Sequence, residues 1–334
     1  MKLSILNQAP ISAGTSAKDA LIESVKLAQL GERLGYTRYW IAEHHDMSGL
    51  ACPTPDVMLG IIGTQTSRIR IGSGAVLLPH YKPFKVAETY NMLATLFFNR
   101  IDLGLGRAPG GSAEATMALS DNFLEQVKKM PESLDELLHF IHNDFSKGDM
   151  YTKIKPTPVP QISPEPWLLG TSEKSAILAA EKGMAYAFGH FMSDQEGPSI
   201  VRNYVKKYKH KYSGMNPKAI VAVSVICAET TIEAEEIAES AFIWSVQRAK
   251  GEDTNGVPSI EDAKNYAYSN EEHEMIHKWK RKMIIGNPRE VRSKLEELQK
   301  LYNVNEFMLV TITHSYEARL KSYELIAKEM LSVS

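Results

Sequence analysis

The chain has 334 residues, of which 43% are hydrophobic and 23% are charged, and its formal net charge at pH 7 is -2. This composition is typical of a globular protein with a large core, and the near-zero net charge argues against a nucleic-acid or acidic-membrane partner. No stretch approaches the ~20 apolar residues of a membrane span. Cys52 and Cys227 stand in no paired or metal-spaced motif, so we expect a reduced, cytoplasmic protein without a metal site.

Short apolar runs typical of β-strands alternate along the chain with amphipathic runs typical of helices. The predicted strands are 3–6, 38–42, 68–77, 101–105, 167–169, 184–188, 219–226 and 306–311. The predicted helices are 18–34, 54–67, 83–98, 112–143, 172–182, a basic segment before residue 219, 231–249 and 317–331. Eight strands separated by helices predict an α/β fold, a single parallel (β/α)8 or TIM barrel over residues 1–334.

The segment 251–286 follows the seventh predicted strand and is too long for a simple connection. It begins polar and glycine-rich, and its pattern becomes helical near 271–283. Loops after barrel strands lie on the functional face of a TIM barrel. We therefore interpret the segment as an insertion that is either a mobile lid or a helical hairpin that only packs.

Glu43, His44 and His45 end the second predicted strand, where a TIM barrel carries its chemistry. Because side chains alternate across a strand, His44 should face one side with Ala42, and His45 the other side with Glu43. An imidazole can transfer protons near neutral pH or bind a cofactor carbonyl. His44 is therefore a candidate catalytic residue, with a structural histidine pair as the alternative.

Small residues and one arginine end the next two predicted strands. Gly74 and Ala75 would let a flat ring lie against the backbone, or would only relieve crowding inside the barrel. Gly106 permits close approach at the end of the fourth strand. Arg107 offers a planar charged fork for a phosphate or a ring carbonyl, or forms a surface ion pair.

Gly170, Thr171 and Ser172 end the fifth predicted strand directly before a helix, and Ser175 lies one turn further on. Free N–H groups and hydroxyls at a helix N-terminus form a phosphate site, although simple helix capping needs the same residues. Glu173 would repel a phosphate, so we expect its side chain to point to solvent. A flat ring at strands two to four and a phosphate at strand five together suggest flavin mononucleotide (FMN).

The chain resembles the bacterial-luciferase-like flavin monooxygenase family. The matching stretches are 42–45, 68–88, 100–111, 168–183 and 285–298. The resemblance implies a TIM barrel that uses reduced FMN from a separate flavin reductase, together with oxygen, to oxidise a small organic substrate such as an alkanal. It also implies a cytoplasmic homodimer formed through helices near strands two and three, and a mobile loop at 251–286.

The resemblance assigns roles residue by residue. His44 corresponds to the family's catalytic histidine, and a cis peptide bond is expected between Gly74 and Ala75 under the flavin. Gly106 stands where the light-emitting subunit has a cysteine, so light emission is not implied. The complete predicted cofactor-binding set is Ala42, Gly74, Ala75, Gly106, Arg107, Gly170, Thr171, Ser172 and Ser175.

Three other functions stay open at this point. The barrel could use the deazaflavin F420 and transfer hydride instead of activating oxygen. It could also be a flavin-binding protein without turnover, or a flavin-free lyase that uses His44 as its base. His190 and His314 follow the sixth and eighth predicted strands and could line the pocket, but each can equally be structural.

Overall fold

A closed barrel of parallel strands forms the centre of the protein, in a computed structural model that describes residues 1–210, 216–252 and 256–331. The strands are β1 Lys2–Asn7, β2 Arg38–Ile41, β3 Arg70–Ser73, β4 Val76–Leu77, β5 Ile101–Gly106, β6 Glu165–Gly170, β7 Ala185–Gly189, β8 Ala219–Cys227, β9 Met283–Gly286 and β10 Glu306–Val310. Eight of them close the barrel in the order β1, β2, β3, β5, β6, β7, β8, β10, because β10 pairs with both β8 and β1. The predicted TIM barrel is confirmed.

Helices surround this barrel. They are α1 Ala17–Leu34, α2 Pro55–Gln65, α3 Pro83–Leu96, α4 Ala113–Leu119, α5 Phe123–Lys128, α6 Met130–His142, α7 Glu173–Lys182, α8 Gly197–Lys207, α9 Thr231–Ala249, α10 Ile260–Asn265, α11 Asn270–Lys280, α12 Pro288–Tyr302 and α13 Tyr316–Met330. Local signals set their ends: Ser16 and Asp19 form a capping box at α1, and Gly35 ends that helix in the left-handed conformation. No helix of the described residues is long and apolar enough to cross a membrane.

Two predicted elements are divided in the structure. The predicted strand 68–77 is two strands, β3 and β4, separated by a cis peptide bond between Gly74 and Ala75. The predicted helix 112–143 is three helices, because Ser112 caps α4, Asn122 caps α5 and a proline occupies the first turn of α6. The cis bond that the family resemblance implies at Gly74 is therefore present.

The segment 251–286 contains more structure than the sequence analysis predicted. Its described part contains α10, α11 and β9. Residues 253–255 of the predicted insertion lie outside the described residues. β9 pairs in parallel with the carboxyl half of β8, from Ser224 opposite Met283 to Cys227 opposite Gly286. α12 follows β9 directly, and neither element was predicted. Whether the segment moves as a lid stays a prediction.

The barrel interior is filled by large side chains in its middle and by small ones toward its carboxyl end. Trp40 and Trp167 meet edge to face, with ring centroids 5.4 Å apart. A Cβ atom added to Gly72 would lie 2.8 Å from the indole nitrogen of Trp40, and one added to Gly74 would lie 2.5 Å from Leu6. The glycines of β3 and its end therefore make room for the core, which supports the crowding interpretation of these residues.

Charged side chains close the amino end of the barrel. This basal network consists of Ser4, Arg38, Arg70, Asp102, Glu165, Lys218 and Glu306. Arg38 lies 2.7 Å from Asp102 and 2.6 Å from Glu306, and Arg70 lies 2.6 Å from Asp102. Burial alone would lower the pKa of Arg38, but the negative charges of Asp102 and Glu306 raise it. Each arginine of the network is therefore paired with at least one carboxylate.

Candidate functional site

The adjacent histidines after β2 lie in different surroundings, as strand alternation predicts. His45 Nε2 lies 2.8 Å from Oε1 of Glu43, which also accepts a hydrogen bond of 2.8 Å from the hydroxyl of Tyr81. The second carboxylate oxygen of Glu43 accepts the backbone N–H of Leu77 at 3.3 Å. Glu43 and His45 thus anchor the strand end in the wall, next to β4.

Glu43 is buried, with only 4% of its surface exposed. Burial raises the pKa of Glu43, while the hydrogen bonds from His45 and Tyr81 oppose that rise. A carboxyl group with these three donors is held in one orientation. It therefore fixes the backbone of the strand end from which His44 projects.

His44 lines an open cavity of about 870 Å³ at the carboxyl end of the barrel. Its backbone N–H donates to the carbonyl of Cys52 at 2.9 Å, which holds the loop in place. The ring atom Nδ1 is buried and has no hydrogen-bond partner among the described residues. Burial first, then the positive charge of Arg248, lower the pKa of His44 to about 4. The imidazole is consequently neutral at pH 7.

The opposite wall of this cavity comes from α9, which follows β8. Trp244 is buried, yet its Nε1 has no partner among the described residues. Arg248, one turn later, stacks over the Trp244 ring with its central carbon 4.6 Å from the ring centroid. One of its terminal nitrogens lies 3.5 Å from the sulfur of Met47. Neither Trp244 nor Arg248 was predicted as a site residue.

A second group of polar residues lies where β5, β6 and α7 begin or end. Ser172 caps α7, and the hydroxyl of Ser175 lies 2.7 Å from the Ser172 carbonyl and 3.0 Å from the hydroxyl of Tyr186. Burial raises the pKa of Tyr186 to about 12, and the charge of Arg107 opposes that rise. Arg107 therefore lies close enough to act on this cluster.

Arg107 itself is exposed at the end of β5, and the described residues give it neither an ion pair nor a hydrogen bond. Within the described ranges, the surface ion pair that the sequence left open is not formed. Glu173, by contrast, is exposed and accepts a hydrogen bond of 3.0 Å from Asn203 on α8, so its prediction is confirmed. Near the N-terminus of α7 there are thus hydroxyls and a cation without a partner in the described part of the chain, and the Glu173 carboxylate accepts a hydrogen bond from α8.

The small predicted residues take up defined positions around this end. Ala42 follows β2 and donates its N–H to the carbonyl of Asn7 at 2.9 Å. A Cβ atom on Gly170 would lie 2.1 Å from the Ser175 hydroxyl, and one on Gly106 would lie 3.1 Å from Ala75. Thr171 presents its carbonyl to the hydroxyl of Ser193 at 2.9 Å. All the predicted residues lie at one end of the barrel, and their roles stay predictions.

Two further histidines that the sequence pointed to have partners elsewhere. His190 Nδ1 lies 2.7 Å from the hydroxyl of Tyr302 on α12, and His314 Nε2 lies 3.3 Å from the carbonyl of Ala13. Both contacts fit the interpretation that His190 and His314 are structural residues. Across the described ranges, no cluster of three histidine, cysteine or acidic side chains could hold a metal ion, and both cysteines are buried thiols.

Sequence comparisons connect the whole chain to known proteins. The profile of the family described as luciferase-like monooxygenase matches residues 1–303. An uncharacterized protein of Bacillus subtilis strain 168, YceB, is 42% identical over 98% of this chain and 99% of its own length. A protein of the same strain named N-acetyl-S-alkylcysteine monooxygenase is 36% identical over 99% of both chains.

Solved structures share the fold. Apo-MsnO8 matches with a TM-score of 0.86 and 30% identity, over 98% of both chains. Two more distant structures support the fold alone. The oxygenating constituent of 3,6-diketocamphane monooxygenase from Pseudomonas putida, in complex with FMN, has a TM-score of 0.72 at 20% identity and covers 98% of this chain and 97% of its own. An F420-dependent secondary alcohol dehydrogenase has a TM-score of 0.70 at 13% identity, over 99% of both chains.

Proposed function

Because the chain belongs to the luciferase-like monooxygenase family, we propose that it uses reduced FMN and dioxygen to oxidise a small organic substrate. Reduced flavin, when bound, supplies the two electrons that let one oxygen atom enter the substrate. One observation carries the proposal: Arg107 and the Nδ1 atom of His44, which have no partner among the described residues, lie at the same end of the barrel as the N-terminus of α7.

The phosphate of FMN would bind where α7 begins. Arg107 is a permanent cation with no partner among the described residues, and its field reaches Tyr186. Ser172, Ser175 and the free N–H groups of the first helical turn add hydrogen-bond donors and a favourable helix dipole. This donor set fits a dianionic phosphate ester, so we assign the predicted phosphate role to these residues.

The isoalloxazine ring would lie against the small residues of β3 to β5. Ala42, Ala75 and Gly106 are small residues at the carboxyl end of the barrel, so no large side chain projects from these positions. His44 lines the neighbouring cavity, and its buried Nδ1 has no partner among the described residues. Because its imidazole is neutral at pH 7, this nitrogen can accept a proton or a hydrogen bond from a bound group.

The proposal is tested by anaerobic titration of the full chain with reduced FMN and, separately, with reduced F420. We expect FMN to bind more tightly. Admission of labelled dioxygen with a thioether such as N-acetyl-S-methylcysteine should then place one labelled oxygen atom in the product, as measured by mass spectrometry. FMN is proposed to arrive from a flavin reductase, so a generic reductase with NADH should sustain turnover.

Each alternative gives a different result in this experiment. Tight F420 binding with hydride transfer and no labelled product would favour a deazaflavin oxidoreductase. Tight FMN binding without turnover on any thioether, ketone or alkanal would favour a flavin-binding protein. Failure to bind either cofactor would contradict the proposal and leave a flavin-free barrel enzyme.

An exposed apolar face supports a homodimer as part of the proposal. α2 and α3 pack side by side and expose large apolar side chains on their outer surfaces. These residues are Val57, Ile61, Met92, Leu96 and, just after α3, Phe98. Exposed large apolar side chains on two adjacent helices are typical of a protein interface. The double variant Ile61→Asp and Leu96→Asp should therefore halve the mass measured by light scattering, and an unchanged mass would contradict this assembly.

A further inference from the structure

We propose that the guanidinium of Arg248 and the indole N–H of Trp244 bind a carboxylate of the organic substrate, so that the substrate is a small organic anion. This inference rests on the proposed function and names the substrate class of the same cavity. Its starting point is that both residues lie on α9 four positions apart, which places them on one face of the helix. That face lines the cavity that His44 also lines.

The charge balance of the cavity favours an anion at Arg248. Arg248 is the one arginine or lysine among the described lining residues. The two lining carboxylates are already engaged: Asp46 accepts the hydroxyl of Ser112, and Glu252 lies 2.7 Å from Lys250. Neither carboxylate forms an ion pair with Arg248 within the described part of the chain. A guanidinium fork without a carboxylate can bind one supplied by a ligand.

Trp244 adds a second, independent donor. Its indole is 1% exposed, and its Nε1 has no acceptor among the described residues, although buried indole N–H groups usually find one. A Cβ atom on Gly49 would lie only 2.9 Å from this same nitrogen, so the indole packs closely against the backbone of the loop after β2. An anion held by Arg248 would give the indole its missing acceptor.

The remaining lining residues indicate what the rest of the ligand is like. Met47, Leu50 and Pro53 form an apolar part of the wall, next to the stacked Trp244 ring. The positive charge of Arg248 also lowers the pKa of His44, so the guanidinium acts on the imidazole across the cavity. A substrate with a carboxylate at one end and an aliphatic body at the other would satisfy both parts and extend toward His44.

The experiment compares a carboxylate probe with its neutral analogue. Isothermal titration of the full chain, with and without saturating FMN, would use N-acetyl-S-methylcysteine and its carboxamide. We expect the carboxylate to bind about tenfold more tightly, as a charge-assisted hydrogen bond predicts. Arg248→Met should abolish this preference, and Trp244→Phe should reduce it. Arg202→Met, which removes an exposed arginine on α8, is the matched control and should retain it.

Several results would overturn the assignment. They are equal affinity for the two probes, no detectable binding of the carboxylate, or a preference that survives in Arg248→Met. Titration of the same variants with FMN separates the two proposals. Arg248→Met should leave FMN affinity unchanged, and a loss of FMN affinity as large as the loss of carboxylate affinity would place Arg248 in the flavin site instead. Carboxylate discrimination without any FMN binding would contradict the proposed function alone.

Discussion

The two ends of the barrel carry similar side chains in opposite states. At the amino end, Arg38 and Arg70 lie within 2.7 Å of carboxylate oxygens, and the indole N–H of Trp40 donates to Asp102 at 2.9 Å. At the carboxyl end, Arg107 and Arg248 have no carboxylate partner among the described residues. The arginines at the amino end are therefore paired with carboxylates, whereas those at the carboxyl end have no carboxylate partner among the described residues.

We therefore expect the amino end of the barrel to contribute to stability and the carboxyl end to bind the ligand. A buried charge network that is fully paired holds strand ends together, and removing one member leaves the others uncompensated. Donors left open at the carboxyl end cost stability unless water or a ligand meets them. The two arginines without a carboxylate partner among the described residues, Arg107 and Arg248, therefore lie where β/α loops, rather than strand starts, determine their surroundings.

The largest effect should come from removing one charge from the basal network at the amino end of the barrel. Asp102→Asn leaves the cations Arg38 and Arg70 without their shared counter-charge, which should lower the free energy of unfolding by about 3–5 kcal/mol. Urea unfolding followed by circular dichroism measures the change. Glu296→Gln, which breaks an exposed pair with Arg292, is the control and should change stability by less than about 1 kcal/mol. A similar small effect for both variants would show that the basal network is not structural.

At the carboxyl end of the barrel, the substitution His44→Ala should leave folding intact but slow turnover. If its Nδ1 handles a proton or a hydrogen bond in the reaction, the rate should fall by about 100-fold or more. FMN affinity, measured by fluorescence quenching, should stay near that of the unaltered chain. His314→Ala removes a histidine bonded to a backbone carbonyl and should keep full turnover. Intact turnover in His44→Ala would remove the residue from the catalytic role.

The substitution Arg107→Ala should weaken FMN binding but leave the stability of the protein almost unchanged. Because the side chain is exposed and has no partner in the described structure, the free energy of unfolding should change by less than about 0.5 kcal/mol. FMN binding should weaken by about 1.5–3 kcal/mol if a charge-assisted contact to phosphate is lost. The exposed Arg202 again supplies the matched alanine control. An unchanged dissociation constant for FMN would exclude Arg107 from the site.

The smallest effect concerns pH. Burial, Arg248 and His45 lower the pKa of folded His44 to about 4, from an ordinary value of 6.5. Between these values the unfolded chain binds a proton that folded His44 does not bind, so the free energy of unfolding falls as the pH drops. In His44→Gln this part of the fall is absent. Urea unfolding at pH 7 and pH 5 should therefore show a smaller loss in the variant, and equal losses would contradict the assigned environment.

The barrel was predictable because apolar periodicity and strand-end residues are local signals. The carboxyl ends of β2, β5 and β6 bring His44, Arg107 and Ser172 to one end of the barrel whatever the details of packing. The sequence does not predict β9, because its four residues lie at the end of the segment interpreted as an insertion. Its pairing with β8 is a tertiary contact that the pattern of those residues does not contain.

The missed site residues had weaker local signals. Trp244 and Arg248 stand four positions apart on a helix, a spacing that is visible in the sequence. Which face of α9 meets the cavity, however, depends on how the helix packs against the loop after β2. Tyr186 likewise reads as an ordinary strand residue until its hydroxyl meets Ser175.

The most direct measurement is a crystal structure of the chain soaked with FMN. The phosphate should lie against Arg107 and the first turn of α7, with the ring beside Ala75 and Gly106 and within reach of His44. A flavin bound at the amino end among the paired charges, or on the outer helices with Arg107 still unliganded, would contradict the account.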